Sequence, residues 1–255
     1  MKLSGAHCVI TGGGNGIGAA LARRFTAEGA RGVVVADVDD AGLEAVATAT
    51  GARPVWCDVT KPGEITALID DAETTFGPID LFCSNAGIIV PGGIETPADE
   101  WQRCIDVNLM AHVWAAQELV PRMIGRGGGY LLHTASAAGL LTQIGSVTYS
   151  VTKHAVVSLA EFLAITYGDQ GVKVSVLCPQ AVRTNMTAFV EDGGVAGVDG
   201  MLEPDDVADA VVNGLDTERF LILPHPQVLE YFRRKGSDYD RWLAGMRRLQ
   251  ARFEP

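Results

Sequence analysis

Three side chains in the middle of the sequence, Ser136, Tyr149 and Lys153, could together move a proton. Tyr149 and Lys153 stand four residues apart in a segment with helical periodicity, so both would lie on one face of a helix. A free tyrosine titrates near ~10, and a neighbouring ammonium favours its phenolate form. A fall of about 3 pKa units corresponds to roughly 4 kcal/mol, which close charges in a water-poor cleft can supply. Ser136 follows an apolar run and could hold a substrate oxygen beside the tyrosine.

Near its start the chain carries a glycine-rich run that follows an apolar stretch and opens an amphipathic one, Thr11-Gly12-Gly13-Gly14-Asn15-Gly16-Ile17-Gly18. Glycines let the backbone turn sharply and approach a pyrophosphate, whose charge the N-terminus of the next helix offsets. No Lys-Ser/Thr pair follows, which excludes the phosphate loop of nucleoside triphosphatases. Alone, such a run is also compatible with a plain strand-to-helix loop, and the Tyr–Lys pair with surface packing. Together they favour proton transfer beside a bound dinucleotide.

An acidic residue, Asp37, closes the next apolar run, nineteen residues after Gly18. A carboxylate at this place can accept hydrogen bonds from both hydroxyls of an adenosine ribose. It would also repel a 2′-phosphate, since two like charges ~4 Å apart at an effective dielectric of ~20 interact by about 4 kcal/mol. The glycine-rich run offers no Arg or Lys to compensate. The sequence therefore predicts NAD (NADH) as the cofactor rather than NADP.

Short apolar runs alternate with amphipathic ones, the pattern of a parallel sheet covered by helices on both faces. The runs predicted as strands are 7–11, 32–36, 54–57, 79–84, 130–134, 172–177 and 220–223. The predicted helices are roughly 16–29, 40–50, 62–76, 97–125, 147–169 and 204–216. We expect an α/β fold, a Rossmann-like doubly wound parallel sheet of about seven strands, in a single domain over residues 1–255.

Composition and charge exclude several classes of partner. A formal net charge of −11 argues against nucleic acid and against an anionic membrane surface. No apolar stretch reaches the ~18 residues that a membrane span needs. The five cysteines form no CxxC pair, which favours reduced thiols in a cytoplasmic protein. The five histidines show no ligand spacing, so no metal site is expected.

With these motifs in view, the sequence closely resembles the short-chain dehydrogenase/reductase family over about residues 3–224, in its compact, NAD-preferring branch. The shared pieces stand in the family's order and approximate spacing: Thr11-Gly12 with Gly16-Ile17-Gly18, Asp58 within Cys57-Asp58-Val59, Asn85-Ala86-Gly87, Asn108, Ser136 and the Tyr149–Lys153 pair. The resemblance implies an oxidoreductase that interconverts a secondary alcohol and a ketone.

The resemblance also implies roles for single residues. Tyr149 would be the general base in alcohol oxidation and the acid in carbonyl reduction, while Lys153 would lower its pKa and bind the nicotinamide ribose. Ser136 would orient the substrate oxygen, and Asn108 would hold a water that links Lys153 to solvent. For Asp58 a simple turn at a strand end stays open as an alternative. The other implied cofactor contacts are Gly12, Asn15, Gly16, Ile17, Gly18, Asp37, Val38, Asp58, Val59, Asn85, Ala86, Gly87, Pro179, Val182 and Thr184.

The chain departs from the family pattern at Pro179-Gln180, where Pro-Gly is usual, so a side chain stands near the nicotinamide. The following segment, 185–203, mixes apolar side chains with glycines, which favours a substrate lid over a mobile surface loop. Uncharged residues at the same sheet edge indicate a bulky hydrophobic substrate, steroid- or terpenoid-like, in preference to a sugar or a carboxylate. The substrate contacts predicted are Ser136, Leu140, Gln143, Tyr149, Gln180, Met186 and Phe189.

The C-terminal tail, residues 226–255, is predicted to be helical and differs in charge from the rest of the chain. Residues 231–255 hold seven basic and three acidic side chains, a net of +4 against −15 for the remainder. Trp242, Met246, Leu249 and Phe253 recur at helical spacing. Such a helix could dock across a subunit boundary or over the substrate cleft.

Two other functions stay open on sequence grounds. The same fold could carry an epimerase or dehydratase, because a site can be reused for other chemistry. A non-catalytic NAD-binding regulatory protein is the second, although such a protein usually lacks a proton-transfer residue. The resemblance further implies a homodimer or homotetramer formed through the helices at about 97–125 and 147–169.

Overall fold

A sheet of seven parallel strands forms the centre of the computed structural model, in the order β3-β2-β1-β4-β5-β6-β7. The structure describes residues 1–188, 190 and 192–253. Its strands are β1 (His7–Thr11), β2 (Gly32–Asp37), β3 (Arg53–Trp56), β4 (Leu81–Ser84), β5 (Gly129–Thr134), β6 (Val172–Leu177) and β7 (Leu221–Ile222). The predicted Rossmann-like sheet is confirmed, although β4 begins at Leu81 and β7 spans only two residues.

Ten α-helices surround the sheet within the described residues. Most begin and end within two residues of the predicted positions. They are α1 (Gly16–Ala27), α2 (Asp40–Thr50), α3 (Pro62–Phe76), α4 (Ala98–Ile105), α5 (Ala111–Gly125), α6 (Ala138–Leu141), α7 (Val147–Tyr167), α8 (Pro204–Asp216), α9 (Gln227–Ser237) and α10 (Tyr239–Gln250).

The stretch predicted as one helix at 97–125 is helical over residues 98–125, but it is not one regular α-helix. A π-helical turn, Asp106–Met110, separates α4 from α5. Asn108 within this turn is fully buried, and its side-chain amide bonds both backbone groups of Ile88. Single π-helical turns inside α-helices are frequent at functional sites.

The tail forms two helices rather than one. Asp238 stands between α9 and α10 in an extended conformation, and its carboxylate accepts a hydrogen bond from the Arg241 amide at 3.0 Å. This is an N-cap, which satisfies one of the free amides of the first turn. The aspartate therefore ends one helix and starts the next.

Two apolar layers cover the faces of the sheet, as expected for parallel strands. Val9 and Val34 point into the layer formed with α3, α5 and α7, and their neighbours Ile10 and Val35 point into the layer with α1 and α8. Because side chains alternate along a strand, each strand contributes to both layers. This burial fixes the direction of the strands and brings their carboxyl ends to one edge.

The strand order reverses between β1 and β4, where the chain crosses from one half of the sheet to the other. In open parallel sheets the crevice at such a switch point is the usual ligand site. Among the described residues, no helix is both long and apolar enough to cross a membrane.

Candidate active site

A cavity of about 860 Å³ opens at the carboxyl edge of the sheet, beside the switch point. It runs from the glycine-rich loop and Asp37 past β4 to Tyr149 and Lys153. Sixteen predicted cofactor or catalytic positions line it: Gly12, Asn15, Gly16, Ile17, Asp37, Val38, Asp58, Val59, Asn85, Ala86, Gly87, Ser136, Tyr149, Lys153, Pro179 and Val182. Thr184 and the predicted substrate contacts Gln143, Gln180 and Met186 line it as well.

The glycine-rich loop packs so closely that side chains would not fit. A Cβ on Gly12, whose φ is +63°, would lie 2.8 Å from the Ala86 Cα, and one on Gly18 only 2.0 Å from the Gly12 carbonyl oxygen. Gly18 itself does not line the cavity, and its part is to let α1 approach the loop. The N-cap residue of α1, Asn15, makes no side-chain hydrogen bond to the first turn. The loop and the start of α1 therefore fit a pyrophosphate.

Asp37 ends β2 half-buried, and its carboxylate organises the neighbouring backbone. One oxygen accepts from the Gly14 amide at 3.0 Å, and the other from the Val38 amide at 2.8 Å. A Cβ on Gly14 would come within 3.1 Å of the first oxygen. Asp37 thus holds the glycine-rich loop against the end of β2 while its side chain still faces the cavity.

Asn85 clamps the loop from β4. Its amide donates to the carbonyl oxygens of Thr11 and Gly12 at 3.1 and 3.2 Å, and its oxygen accepts from the Thr134 hydroxyl at 3.1 Å. Asn85 therefore joins the ends of β1, β4 and β5 around the cavity.

Asp58 satisfies both interpretations given to it. Its carboxylate accepts from the Thr60 amide and hydroxyl at 3.0 and 2.8 Å, which makes it a turn residue. It also lines the cavity at the end where Asp37 and Val38 lie.

Ser136, Tyr149 and Lys153 meet at the other end of the cavity. The Lys153 ammonium lies 5.6 Å from the centre of the Tyr149 ring and donates to the Thr134 carbonyl oxygen at 2.9 Å. The Ser136 hydroxyl accepts from the Ala138 amide at 3.1 Å, which orients it at the end of β5. The helix α7 supplies the tyrosine and the lysine one turn apart, as the sequence predicts.

Burial governs the titration of both groups. It raises the pKa of Tyr149 above its ordinary value, and interaction with the Ser136 hydroxyl only partly opposes this. It lowers the pKa of Lys153 to about 8. The side chains of this chain therefore do not by themselves produce the lowered tyrosine pKa that the sequence analysis expects.

Asn108 lies beside the cavity without lining it. Its oxygen accepts from the Ile88 amide at 2.8 Å, and its nitrogen donates to the Thr152 hydroxyl at 3.2 Å. A Cβ on Gly87 would lie 3.4 Å from that oxygen and 3.3 Å from the Lys153 nitrogen. Asn108 therefore braces the wall behind Lys153, with glycine leaving room between them.

The segment 185–203, predicted as a substrate lid, is joined near its two ends by backbone contacts. Val182 pairs with Leu202, and the Arg183 amide donates to the Leu202 carbonyl oxygen at 2.9 Å. The side chain of Gln180 reaches into the segment, where its amide nitrogen Nε2 donates to the Asp199 carboxylate at 3.1 Å. Leu140 is buried and does not line either of the cavities described here. Phe189 lies outside the described residues.

A second cavity, about 810 Å³, adjoins the first beneath the C-terminal tail. Tyr231 of α9 joins the tail to segment 185–203 at this place, because its hydroxyl donates to the Asp199 carboxylate at 2.9 Å. The buried Lys235 donates to the Leu140 carbonyl oxygen at 2.6 Å and so joins α9 to α6. The apolar stripe predicted on the tail faces this space: Trp242, Met246 and Leu249 line the second cavity and Phe253 the first.

Sequence reasoning missed three parts of this arrangement. Lys235 and His225 belong to no recognisable sequence motif. In the structure, the His225 ring nevertheless accepts a hydrogen bond from the backbone amide of Gln180 at 3.2 Å. Arg103, before the π-helical turn, lines the first cavity. For the arginines of the tail, the sequence indicated only a positive net charge. Their spacing did not predict which cavity they would line.

Comparison with known proteins places this geometry among dehydrogenases. A family model described as short chain dehydrogenase matches residues 6–193. The chain is 39% identical over 231 residues to a 1-deoxy-11-beta-hydroxypentalenate dehydrogenase of Streptomyces exfoliatus, covering 87% of this chain and 84% of that protein. It is 37% identical over 215 residues to a 3-alpha-(or 20-beta)-hydroxysteroid dehydrogenase of Mycobacterium tuberculosis, covering 83% and 82%.

A solved structure shows the same fold. A short chain dehydrogenase/reductase from Burkholderia phymatum, crystallised in complex with NAD, superposes with a TM-score of 0.85 at 31% identity. The match covers 94% of this chain and 96% of that one.

Proposed function

Because the chain belongs to the short-chain dehydrogenase/reductase family, we propose that it uses NAD to interconvert a hydrophobic secondary alcohol and its ketone. It is an oxidoreductase of CH–OH groups that takes a nicotinamide cofactor. The finer assignment rests on one observation. The glycine-rich loop, Asp37 and the group Ser136, Tyr149 and Lys153 line a single cavity, so one bound dinucleotide can reach from loop to tyrosine.

In this proposal Tyr149 exchanges the proton. When bound, an oxidised nicotinamide supplies the hydride acceptor and a positive charge that favours phenolate. Tyr149 Oη takes the alcohol proton as the C–H hydride leaves, and returns it in carbonyl reduction. The Ser136 hydroxyl holds the substrate oxygen, and the Lys153 ammonium stabilises the phenolate from the next helical turn.

Asp37 supports NAD over NADP. Its carboxylate is fixed at the end of β2 by the Gly14 and Val38 amides, so it cannot swing away from a 2′-phosphate without losing those bonds. The Burkholderia phymatum relative was crystallised with NAD, which agrees with this preference.

A bulky apolar substrate is supported by the walls next to Ser136. Ile88, Ile144, Met186 and Val190 line the cavity there. The Streptomyces exfoliatus and Mycobacterium tuberculosis relatives carry a hydroxypentalenate and a hydroxysteroid in their names, both hydroxylated compounds. We propose a fused-ring or similarly bulky alcohol, with 185–203 as a lid over it and 226–255 as an appended tail of one 1–255 domain.

Assembly and location belong to the same proposal. Phe162 and Ile165 on α7 are 58% and 84% exposed, which supports a homodimer or homotetramer built on that helix. All five cysteines are free and buried, which supports a reducing, cytoplasmic location. Light scattering at several protein concentrations would measure the assembly.

The test is a panel of bulky secondary alcohols with NAD, followed by NADH absorbance, with Tyr149→Phe beside the wild type. The variant should bind NADH, measured by fluorescence, yet lose about 10²–10⁴-fold in turnover, the usual contribution of general acid–base catalysis. Product without net NADH would indicate an epimerase or dehydratase instead. Equal turnover by wild type and variant would overturn the role of Tyr149.

A further inference from the structure

Four arginines line the second cavity, although the chain as a whole carries a formal net charge of −11. They are Arg234, Arg241, Arg248 and Arg252, and the acidic residue facing them in the lining is Asp238. Arg234 is already paired with Glu230 at 2.9 Å. The Asp238 carboxylate serves as the N-cap of α10. An excess of basic side chains on a concave surface is an unusual feature of so acidic a protein, and it favours a negatively charged ligand.

The other three arginines differ from Arg234 in their pairing among the described residues. In the part of the chain that the structure describes, no ion pair is formed by Arg241, Arg248 or Arg252. Their spacing of seven and four residues places them along one side of α10 and its C-terminal end. Arginine is suited to this role because its planar guanidinium binds carboxylate or phosphate through two parallel hydrogen bonds.

The arginine row runs beside an apolar row. Trp242 and Leu249 directly follow Arg241 and Arg248 in the chain, and Met246 lies between them on the same side of the helix. The two rows therefore lie next to each other, and both line the cavity. A ligand that fills this space would contact hydrocarbon on one side and guanidinium groups on the other. That combination matches an apolar molecule ending in an anionic group.

The second cavity adjoins the cavity that holds Ser136, and the two share part of their walls. Ser136, Gln143, Gln180, Val195 and Ala196 line both cavities. A molecule whose hydroxyl lies at Ser136 can therefore extend under the tail. Most ligand sites combine apolar walls with a few polar groups that fix orientation, and here the polar groups stand at the far end.

We propose that α10 forms an anion-binding subsite, in which Arg241, Arg248 and Arg252 hold a carboxylate or phosphate on the far end of an apolar substrate. Only one part of this proposal rests on the proposed function, namely that the molecule bound there is the enzyme's substrate. It revises the sequence-based expectation of an uncharged molecule: the substrate is a bulky alcohol with an acidic end. The tail thereby selects substrates without touching the reacting atoms.

A binding test separates this proposal from catalysis. The probes are 8-anilinonaphthalene-1-sulfonate and N-phenyl-1-naphthylamine, which differ only in the sulfonate, titrated by fluorescence without cofactor. In the triple variant Arg241→Gln, Arg248→Gln, Arg252→Gln, the affinity for the sulfonate probe should fall by about tenfold or more. The reason is that hydrogen bonds between charged groups are stronger than those between neutral groups. The affinity of this variant for the neutral probe should not change.

The matched control is Arg247→Gln, which removes an exposed arginine of the same helix that does not line the cavity. Far-ultraviolet circular dichroism confirms that each variant is folded. Equal affinity of the triple variant and Arg247→Gln for the sulfonate probe would overturn the subsite. Displacement by 1-naphthylacetate or by 1-naphthyl phosphate then assigns the anion, and displacement by neither would also overturn it. Since no turnover is measured, the outcome is independent of the alcohol panel.

Discussion

The proton-transfer end of the cavity and the tail that borders the second cavity are built in opposite ways. Lys153 is 2% exposed and donates to the Thr134 carbonyl oxygen at the end of β5, and Ser136 follows the same strand. The arginines of α10 are solvent-accessible side chains on a helix that packs chiefly on α9. The groups proposed to meet the reacting atoms are thus fixed by α7 and the end of β5, whereas the groups proposed to select the substrate stand on a peripheral helix.

Energetics follow the same division. At the proton-transfer end the protein accepts the cost of a buried ammonium, which shows as the lowered pKa of Lys153. In the tail, the charged groups remain exposed to water, so they carry little desolvation penalty. A change at the first end should therefore alter activity and stability in opposite directions, while a change in the tail should alter affinity alone.

The largest expected effect is that of Lys153→Met. Turnover should fall by about 10²–10⁴-fold, since the phenolate loses its cation. The free energy of unfolding at pH 7 should nevertheless rise by about 2 kcal/mol, because the cost of burying the ammonium exceeds the lost hydrogen bond to Thr134. Urea titration monitored by circular dichroism measures this gain.

The pH dependence fixes the cause of that gain. The pKa of Lys153 is about 8 in the folded chain against 10.5 as its ordinary value, so the unfolded chain binds this proton more tightly. The penalty is complete below pH ~8 and disappears as the pH rises toward ~10.5, and over that window the wild type should approach the variant in stability. The control is Lys173→Met, which removes an exposed lysine paired with Glu218 at 3.2 Å and should show no such convergence. Equal stability of Lys153→Met and wild type at pH 7 would contradict this account.

An intermediate effect is expected at Asp37. In Asp37→Asn the repulsion of a 2′-phosphate is removed, and the ratio of kcat/KM for NAD to that for NADP should fall by roughly tenfold or more. Steady-state kinetics with both cofactors measure the ratio. Asp39→Asn is the control, because its carboxylate caps α2 by accepting from the Gly42 amide and does not line the cavity. An unchanged ratio in Asp37→Asn would remove the argument for NAD.

The smallest effect is expected in the tail, from Tyr231→Phe. The substitution deletes only the hydroxyl that donates to Asp199 at 2.9 Å, a bond worth roughly 1–2 kcal/mol between a neutral and a charged group. KM for the alcohol should rise a few-fold with kcat nearly unchanged, since the bond holds the lid and not the reacting groups. Tyr239→Phe on α10, an exposed tyrosine without a hydrogen bond to the lid, should leave KM unchanged. A fall in kcat without a change in KM would show that the tail reaches the chemistry and would break the comparison.

Much of this site could be predicted from sequence because its parts are local. The glycine-rich loop, Asp37 and the Tyr149–Lys153 pair each sit at a strand end or on one helical face, and parallel topology brings strand ends together. The π-helical turn inside the helix predicted at 97–125 was not predicted, and neither was the bond from its Asn108 to the backbone of Ile88, twenty residues away along the chain. No local pattern contains such a bond.

The sheet, the glycine-rich loop and the spacing of Tyr149 and Lys153 follow from the sequence alone, because hydrophobic periodicity and turn chemistry act over a few residues. The titration of these two side chains depends on the fold, since burial raises the pKa of Tyr149 and lowers that of Lys153, and distant segments of the chain provide this burial. The tertiary structure alone also placed the arginines of α10 in the wall of a cavity that Ser136 lines as well. That placement depends on α9, held through Lys235 and Tyr231, and these contacts join residues 95 and 32 positions apart in the chain.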